Sequence, residues 1–555
     1  MRKMLAFITF AAASTTAAAA QPPLLIRHVD VIPMDREQVL ADRDVLISGG
    51  LIKAIAKGGT IAAPRGAGVV NGRGRFLLPG LVDFHTHPTS PDELVSYLAY
   101  GQTAIATLAG EALALRKRPS LGPHLMSASF ILDANPPTNR RFFAIHDPAA
   151  ADAVVRQMKA RGAEFLKVYG KMKAPELAAL GAAARRQGLA IFGHLPSAVP
   201  IDQALDSINV VAHGEEYFGT LKDDTNDAAL QRVARLTADK HAAVIPNMVA
   251  YAEMPRQAAH LAEFMADPDF RYLPANTYQE WLPQNSRYAT RPNIADFVET
   301  SNRRMAVLKR LTAALHREGV LLLAGTDAPV ICLPGKCLLD DLRLLHEAGL
   351  SNYETLAAAT TNAGQLWSTV MKRPGRFGMV EAKNRADLVL LRANPLQSLD
   401  ALAALDGVVL GGRWLTKARI DAERERAARR IASKRALVDR YEQLLDAKDM
   451  DRLVRLVSSV RRNEDVFNIN AVIYDLLILE NDGRRSDAIR LGRALLRPLG
   501  DNHGLWNVLG GLELASGQLD AAARSFRMSL RLAPLNAVAI DGLHAALTPI
   551  RADPR

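Results

Sequence analysis

The chain has 555 residues, with 69 Lys and Arg against 58 Asp and Glu, a formal charge of +11. Its 49% hydrophobic content excludes a disordered chain and suffices for roughly two to four domains, one of them large enough for a barrel of about 250 residues. The cationic excess is densest over 413–440, mixed with Asp421, Glu423 and Glu425 and without interleaved aromatic platforms. That pattern excludes a nucleic-acid groove and reads as a solvated, salt-bridge-laced linker helix.

In chain order, residues 1–20 read as a secretory signal. Arg2 and Lys3 precede a short apolar run over 4–13, and Ala18-Ala19-Ala20 before Gln21 offers a small-residue cleavage site. The run is too short to span a bilayer, although an uncleaved anchor is the competing reading. A periplasmic or secreted protein with no membrane span is expected.

Residues 21–78 carry short strand patterns, including a hairpin about Gly49-Gly50, and strand patterns return over 376–417. These flanks are expected to pair into a small β-sandwich around a central unit at 79–375. Within that unit, five apolar or β-branched runs each stop at a polar side chain. They end at His85 and His87, Lys167, His194, His213 and Asp327. A buried parallel strand has this appearance when its C-terminal end opens on a site. Function at strand C-termini predicts an α/β fold with a (β/α)8 TIM barrel. Residues two apart on a strand face the same side, so His85 and His87 both point into the barrel mouth. The donors are the nitrogen and oxygen ligands that zinc prefers.

Helical patterns at 149–161 and 175–187 lead into the Lys167 and His194 strands. Between a strand at 243–248 and a helix at 303–317 lies a long segment bearing Phe264, Phe270, Tyr272, Tyr278, Trp281, Tyr288 and Phe297. It reads either as a lid shaping the substrate space or as a decoration on the outer helices. The two cysteines, Cys332 and Cys337, flank a Pro-Gly turn just after Asp327. A disulfide staple is expected, with free thiols or adventitious metal ligands as alternatives.

After a charged helical linker at 418–436, the segment 437–547 is purely helical. Gly483 and Gly517 lie 34 residues apart, as do Ala488 and Ala522. Trp506, Leu509, Gly510, Ala522, Phe526 and Pro534 match the tetratricopeptide (TPR) pattern. Such helix pairs present a groove to a protein partner, or serve as a packing or self-association appendage. No residue beyond 417 is needed for the ligand set, so these repeats are expected to act apart from the chemistry.

The stretch Leu78-Pro79-Gly80-Leu81-Val82-Asp83-Phe84-His85-Thr86-His87, with Lys167, Gly193-His194, Ala212-His213-Gly214-Glu215 and Gly325-Thr326-Asp327-Ala328, resembles the amidohydrolase superfamily. The likeness is to its imidazolonepropionase-like and Xaa-Pro or Xaa-basic dipeptidase-like branch, over roughly 24–417, where 386–391 with Asn394-Pro395 looks like the family's return strand. The resemblance implies two divalent metal ions, zinc by preference. His85, His87 and Asp327 would hold the more buried ion, His194 and His213 the second, and a carbamylated Lys167 would bridge them. Leu339 stands where the family often has a His, but no metal ligand is lost.

The chemistry implied is hydrolysis of a small amide substrate, a dipeptide or N-acyl amino acid, by a metal-bridged hydroxide, with Asp327 as proton shuttle. Tyr169 and Tyr217 are candidates for an oxyanion or substrate carboxylate, and Glu215 and Glu216 for a substrate ammonium. A cyclic-amide or ester hydrolase is the alternative within the class. A metal-stabilised binding protein that recruits a partner through its repeats is the alternative outside it.

Overall fold

The computed structural model describes residues 21–110, 115–116, 121–139, 142–145, 147–462 and 464–548. The segment read as a secretory signal, 1–20, lies outside them. The N-terminal flank supplies β1 (Leu24–Val31), β2 (Leu40–Ser48), β3 (Leu51–Lys57), β4 (Gly68–Asn71) and β5 (Phe76–Pro79). The central unit supplies β6 (Leu81–Thr86), β7 (Gln102–Thr107), β8 (His124–Ala134), β9 (Phe143–Ile145), β10 (Phe165–Val168), β11 (Ile191–Gly193), β12 (Val210–Val211) and β13 (Ala243–Val244). The return flank supplies β14 (Leu388–Leu391), β15 (Leu405–Leu410) and β16 (Arg413–Thr416).

The two flanks form one sheet in the order β16-β15-β14-β5-β1-β2-β3, with β4 beside β1. The sandwich expected from the sequence is thus a single sheet that curls back on itself. Its hairpin end bonds to the far flank, with Ile52 N donating to Asn384 O (3.0 Å) and Ala386 N to Gly50 O (2.9 Å). At this closure Gly412 (φ +85°) passes so near the hairpin that a Cβ would sit 2.9 Å from Gly50 Cα, which only glycine allows.

The second sheet is parallel throughout, in the order β13-β12-β11-β10-β8-β7-β6 with β9 beside β8. It curls until residues 321–328 bridge its edges. Leu323 N donates to Val244 O (2.9 Å) on one side, and on the other Phe84 N donates to Ala324 O (2.9 Å) and Asp327 N to His85 O (2.7 Å). All six residues of β6 and of β7 are buried, as strands covered on both faces must be. Phe84, Phe165, Phe192, Val210 and Leu323 fill the interior below the site. Helices Ala151–Ala160 and Ala174–Gln187 pack outside, the latter ending at Gly188 in the left-handed conformation (φ +67°).

The aromatic segment folds as helix Met248–Met265, a short turn at Pro268–Tyr272 and helix Ala275–Trp281, before helix Ile294–Arg317. Phe264, Phe270, Leu273 and Trp281 cluster with Leu333. The stretch expected to be a solvated linker is instead the first half of a 30-residue helix, Lys417–Asp446, with one face buried. Arg424 is 8% exposed; it pairs with Asp269 (2.8 Å) and its guanidinium stacks 3.7 Å from the Tyr272 ring centre. Arg435 lies over Phe270 and Tyr278.

Among the described residues six further helices follow: Met450–Ser459, Ile469–Asn481, Arg485–Leu499, His503–Ala515, Leu519–Leu532 and Ala537–Leu547. Asn468, Asn502 and Asn536, 34 residues apart, each cap a helix through the side-chain carbonyl. Among the described residues no helix is long and apolar enough to cross a membrane.

Candidate metal centre

The C-terminal ends of β6, β10, β11 and β12 and the bridging segment 321–328 converge on one small space. His85 is 1% exposed, and its Nδ1–H donates to Ala212 O (3.1 Å). This bond fixes the tautomer that leaves the Nε2 lone pair facing the centre. From Nε2 it is 3.3 Å to His87 Nε2 and 3.5 Å to Asp327 Oδ1, while His87 Nε2 lies 3.1 Å from the same oxygen. The donor atoms of His85, His87 and Asp327 all fall within 4.8 Å of one another, as three ligands of one ion would.

The second half of the site continues from this cluster. The His213 ring is 4.5 Å from that of His85, His194 is 4.7 Å from His213, and Tyr169 is 4.0 Å from His194. Burial, reinforced by neighbouring cationic groups, holds the pKa of His85 and His213 well below the usual imidazole value. Both are therefore neutral, the form that offers a lone pair to a metal. His213 Nδ1 has no hydrogen-bond partner among the described residues, and His194 Nδ1 pairs with Glu216.

Lys167 lies on β10 among these groups. Its Nζ is buried without a hydrogen-bond partner among the described residues. Burial lowers its pKa to about 8, against the pull of Asp327, Glu216 and Glu215. A lone ammonium in such a place is costly, and a derivatised or metal-associated nitrogen is not. The donor set of His85, His87 and Asp327 fits a metal ion, and the orphaned Lys167 nitrogen lies beside it.

The support is built from the backbone out. Asp83 accepts from His85 N (3.1 Å), Thr326 N (3.1 Å) and Thr326 Oγ1 (2.7 Å), tying the two ligand-bearing segments together. Burial raises its pKa to about 8 despite those bonds. Asp327 sits in the left-handed region (φ +61°), a conformation Asp tolerates better than bulky residues. That turn aims its carboxylate at the histidines. Asp341 accepts from Gly325 N (3.3 Å) and Val249 N (3.1 Å), anchoring the same turn to the next helix.

Of the substrate candidates, Tyr169 lies in the mouth. Tyr217 does not belong there. It is fully buried, and its hydroxyl shares a 2.9 Å hydrogen bond with Thr237 Oγ1. The short 3-10 turn Gly214–Tyr217 after His213 rotates it into the packing behind the site. Glu216 is engaged with His194, and burial with the nearby Glu216 charge pushes the Glu215 carboxyl up to about 8. Cys332 and Cys337 are joined, with their Cα atoms 6.0 Å apart, beside Val249 and Ala328. Leu339 packs into the core with Leu338 and Leu342.

Two residues, Asn247 and Arg287, escaped the sequence reading. Asn247 is buried with φ +54°, and its amide lies beside His213 without a hydrogen bond of good geometry. Its signal was available, since it ends the run Ala243-Val244-Ile245-Pro246 as the ligands end theirs. Arg287 and Tyr288 come from the aromatic segment. The Arg287 charge acts on Tyr169, and Asp327 acts on both Arg287 and Tyr288. Nothing local in sequence marks Arg287, whereas Tyr288 belongs to the aromatic run that the sequence offers for a lid.

No protein-family model matches the chain. It is 28% identical over 231 residues (41% of this chain) to an adenine deaminase of Chelativorans sp. (strain BNC1). The match spans 34% of that protein's length, and the chain spans less of the other curated relatives it matches. Among solved structures, bottromycin amidohydrolase superposes with a TM-score of 0.56 at 26% identity, over 73% of this chain and 90% of that one. A Xaa-Pro dipeptidase with bound methionine in its active site superposes with a TM-score of 0.53 at 16% identity, over 71% and 100%. The more distant likeness establishes the fold. Together with the nearer ones it supports the amidohydrolase superfamily and an enzyme acting on carbon–nitrogen bonds.

Proposed function

We propose that the chain is an exported, metal-dependent hydrolase of small amides, with a dipeptide or N-acyl amino acid as substrate. The observation that carries this reading is the convergence of His85, His87, Lys167, His194, His213 and Asp327 at the ends of neighbouring strands. His85, His87 and Asp327 would hold one zinc ion, His194 and His213 the other, and a carbamylated Lys167 would join them. When bound, such ions lower the pKa of a water towards neutrality and polarise a carbonyl.

The protein's own groups do the rest. Asp327 Oδ1, at the centre of the cluster, takes a proton from the attacking water and gives it to the leaving nitrogen. Its backbone bond to His85 holds that oxygen in place while the proton moves. The Tyr169 hydroxyl, whose pKa burial and nearby carboxylates raise, stays protonated and donates to the developing oxyanion. The buried strand ends exclude bulk water from all sides but the mouth.

The test is metal analysis of protein made with zinc and bicarbonate, with turnover measured on a dipeptide and N-acyl amino acid library. About two zinc ions per chain and hydrolysis that a chelator abolishes are expected. A metal-replete protein that cleaves no amide in the library refutes the reading.

A further inference from the structure

Two neighbouring carboxylates stand at the strand ends without a cation. Glu215 and Glu216 lie on the short turn Gly214–Tyr217 that follows His213. Glu216 Oε1 meets His194 Nδ1, and Glu215 Oε1 lies 3.8 Å from His213 Nδ1. Among the described residues neither glutamate pairs with a lysine or an arginine, and Glu215 Oε2 is buried without a hydrogen-bond partner. A carboxylate so placed has lost water without gaining a donor, a cost that an arriving cation would offset. The side chains of Glu215 and Glu216 keep 25% and 16% of their surface open, so the pair is not sealed. The turn that carries them is fixed. Gly214 N donates to Pro246 O (3.1 Å), Glu216 N donates to His213 O (3.3 Å), and the buried Tyr217 hydroxyl shares its bond with Thr237 (2.9 Å) behind them. A Cβ at Gly214 would sit 2.5 Å from Leu308 Cδ1, so the turn can lie this close to the next helix only with glycine there.

We infer that Glu215 and Glu216 form a subsite for the free α-ammonium of the substrate, which is therefore a dipeptide with an unblocked N-terminus and not an N-acyl amino acid. This rests on the amide-hydrolase reading and narrows it to one of its two substrate classes. In a dipeptide the ammonium is carried by the carbon next to the scissile carbonyl. A subsite for it must stand beside the groups that hold that carbonyl, and each glutamate lies against one of the histidines at the strand ends. An ammonium brings three donors, enough to serve both carboxylates at once and to relieve the repulsion between them. The acyl group of an N-acyl amino acid has neither the charge nor the donors. Its binding would leave both carboxylates as unpaired as before, and a site built for a polar group rejects the analogue that lacks it.

The test uses zinc-loaded full-length protein and calorimetry with the uncleavable phosphinic analogues of L-alanyl-L-alanine and N-propionyl-L-alanine, which differ only in the ammonium. Wild type should bind the ammonium-bearing analogue at least about 10-fold more tightly. Glu215→Gln and Glu216→Gln keep size and polarity but remove charge. Each should cut that ratio at least about 3-fold, and the double variant should bring it to about one. The ratio is taken within each variant, so a loss of folding or of metal lowers both affinities and leaves it standing. A ratio that survives the double substitution overturns the ammonium site. A wild type that hydrolyses both parent amides and shows no preference overturns it as well, and spares the hydrolase reading. An ammonium preference in a protein that hydrolyses neither parent amide keeps the site and refutes the hydrolase reading.

Discussion

The two sides of the mouth are made in different ways. On the metal side, every donor stands on or just beyond a strand end, and the hydrogen bonds that aim it come from adjacent strands or their turns. On the other side, Arg287 and Tyr288 sit on an excursion of the chain that is itself held by helices from the far end of the sequence. The first is rigid because the curled sheet is rigid. The second is only as ordered as the contacts of Lys417–Asp446 and the helices after it.

Breaking the metal side should have the largest effects. Asp327→Asn should lower kcat by about 10²–10⁴-fold while the fold survives, read by steady-state kinetics and thermal melting. A near-wild-type kcat would end the shuttle assignment. Lys167→Ala should leave metal content well below that of wild type, measured on dialysed protein. Undiminished content would remove lysine from the bridging role.

Breaking the other side should cost stability first. Arg424→Ala leaves Asp269 half-buried without its cation and exposes the Tyr272 face, so unfolding free energy should fall by about 2–4 kcal/mol by urea denaturation. A loss below about 0.5 kcal/mol would mark this face as solvated after all.

Acid should sharpen the same contrast. Burial pushes the Asp92 carboxyl up, but hydrogen bonds from Lys434 and Arg430 outweigh it, and its folded pKa lies below the usual value of about 3.9. A depressed carboxylate contributes stability that is complete above its unfolded pKa and is lost as pH falls through the folded one. The long helix should therefore loosen below about pH 4, and Asp92→Asn should flatten that part of the pH–melting curve. The smallest effect belongs to Tyr217→Phe, which removes one internal hydrogen bond worth about 1 kcal/mol. Its kcat should match wild type, and a drop of 10-fold would return Tyr217 to the site.

What the sequence disclosed follows the same division. The convergence of His85, His87, Lys167, His194, His213 and Asp327 at neighbouring strand ends could be read because a buried parallel strand leaves a short apolar run that a polar side chain ends. The long helix could not, because its buried face is made of Ile420, Arg424, Ala427, Ala428 and Ile431. Arginine stacked on tyrosine looks like solvated charge until the tyrosine is known. Tyr217 failed for a local reason, since a 3-10 turn breaks the strand register that would have kept it facing the mouth. Arg287 failed for a distant one, as its partners lie on another helix and, through Asn468, in another part of the chain.

The long helix has a further consequence in time. Tyr272 bonds to Glu425, 153 residues later, and the apolar cluster of Phe264, Phe270, Leu273 and Trp281 lies under the same helix. At about 5–20 residues per second, a ribosome needs roughly 8–30 s to deliver the second after the first. Within that interval residues 321–328 arrive to close the curled sheet, while the aromatic segment still has no cover. The newborn chain therefore carries its ligand set before it carries a finished mouth, and the uncovered aromatics are the surface on which a chaperone would find it.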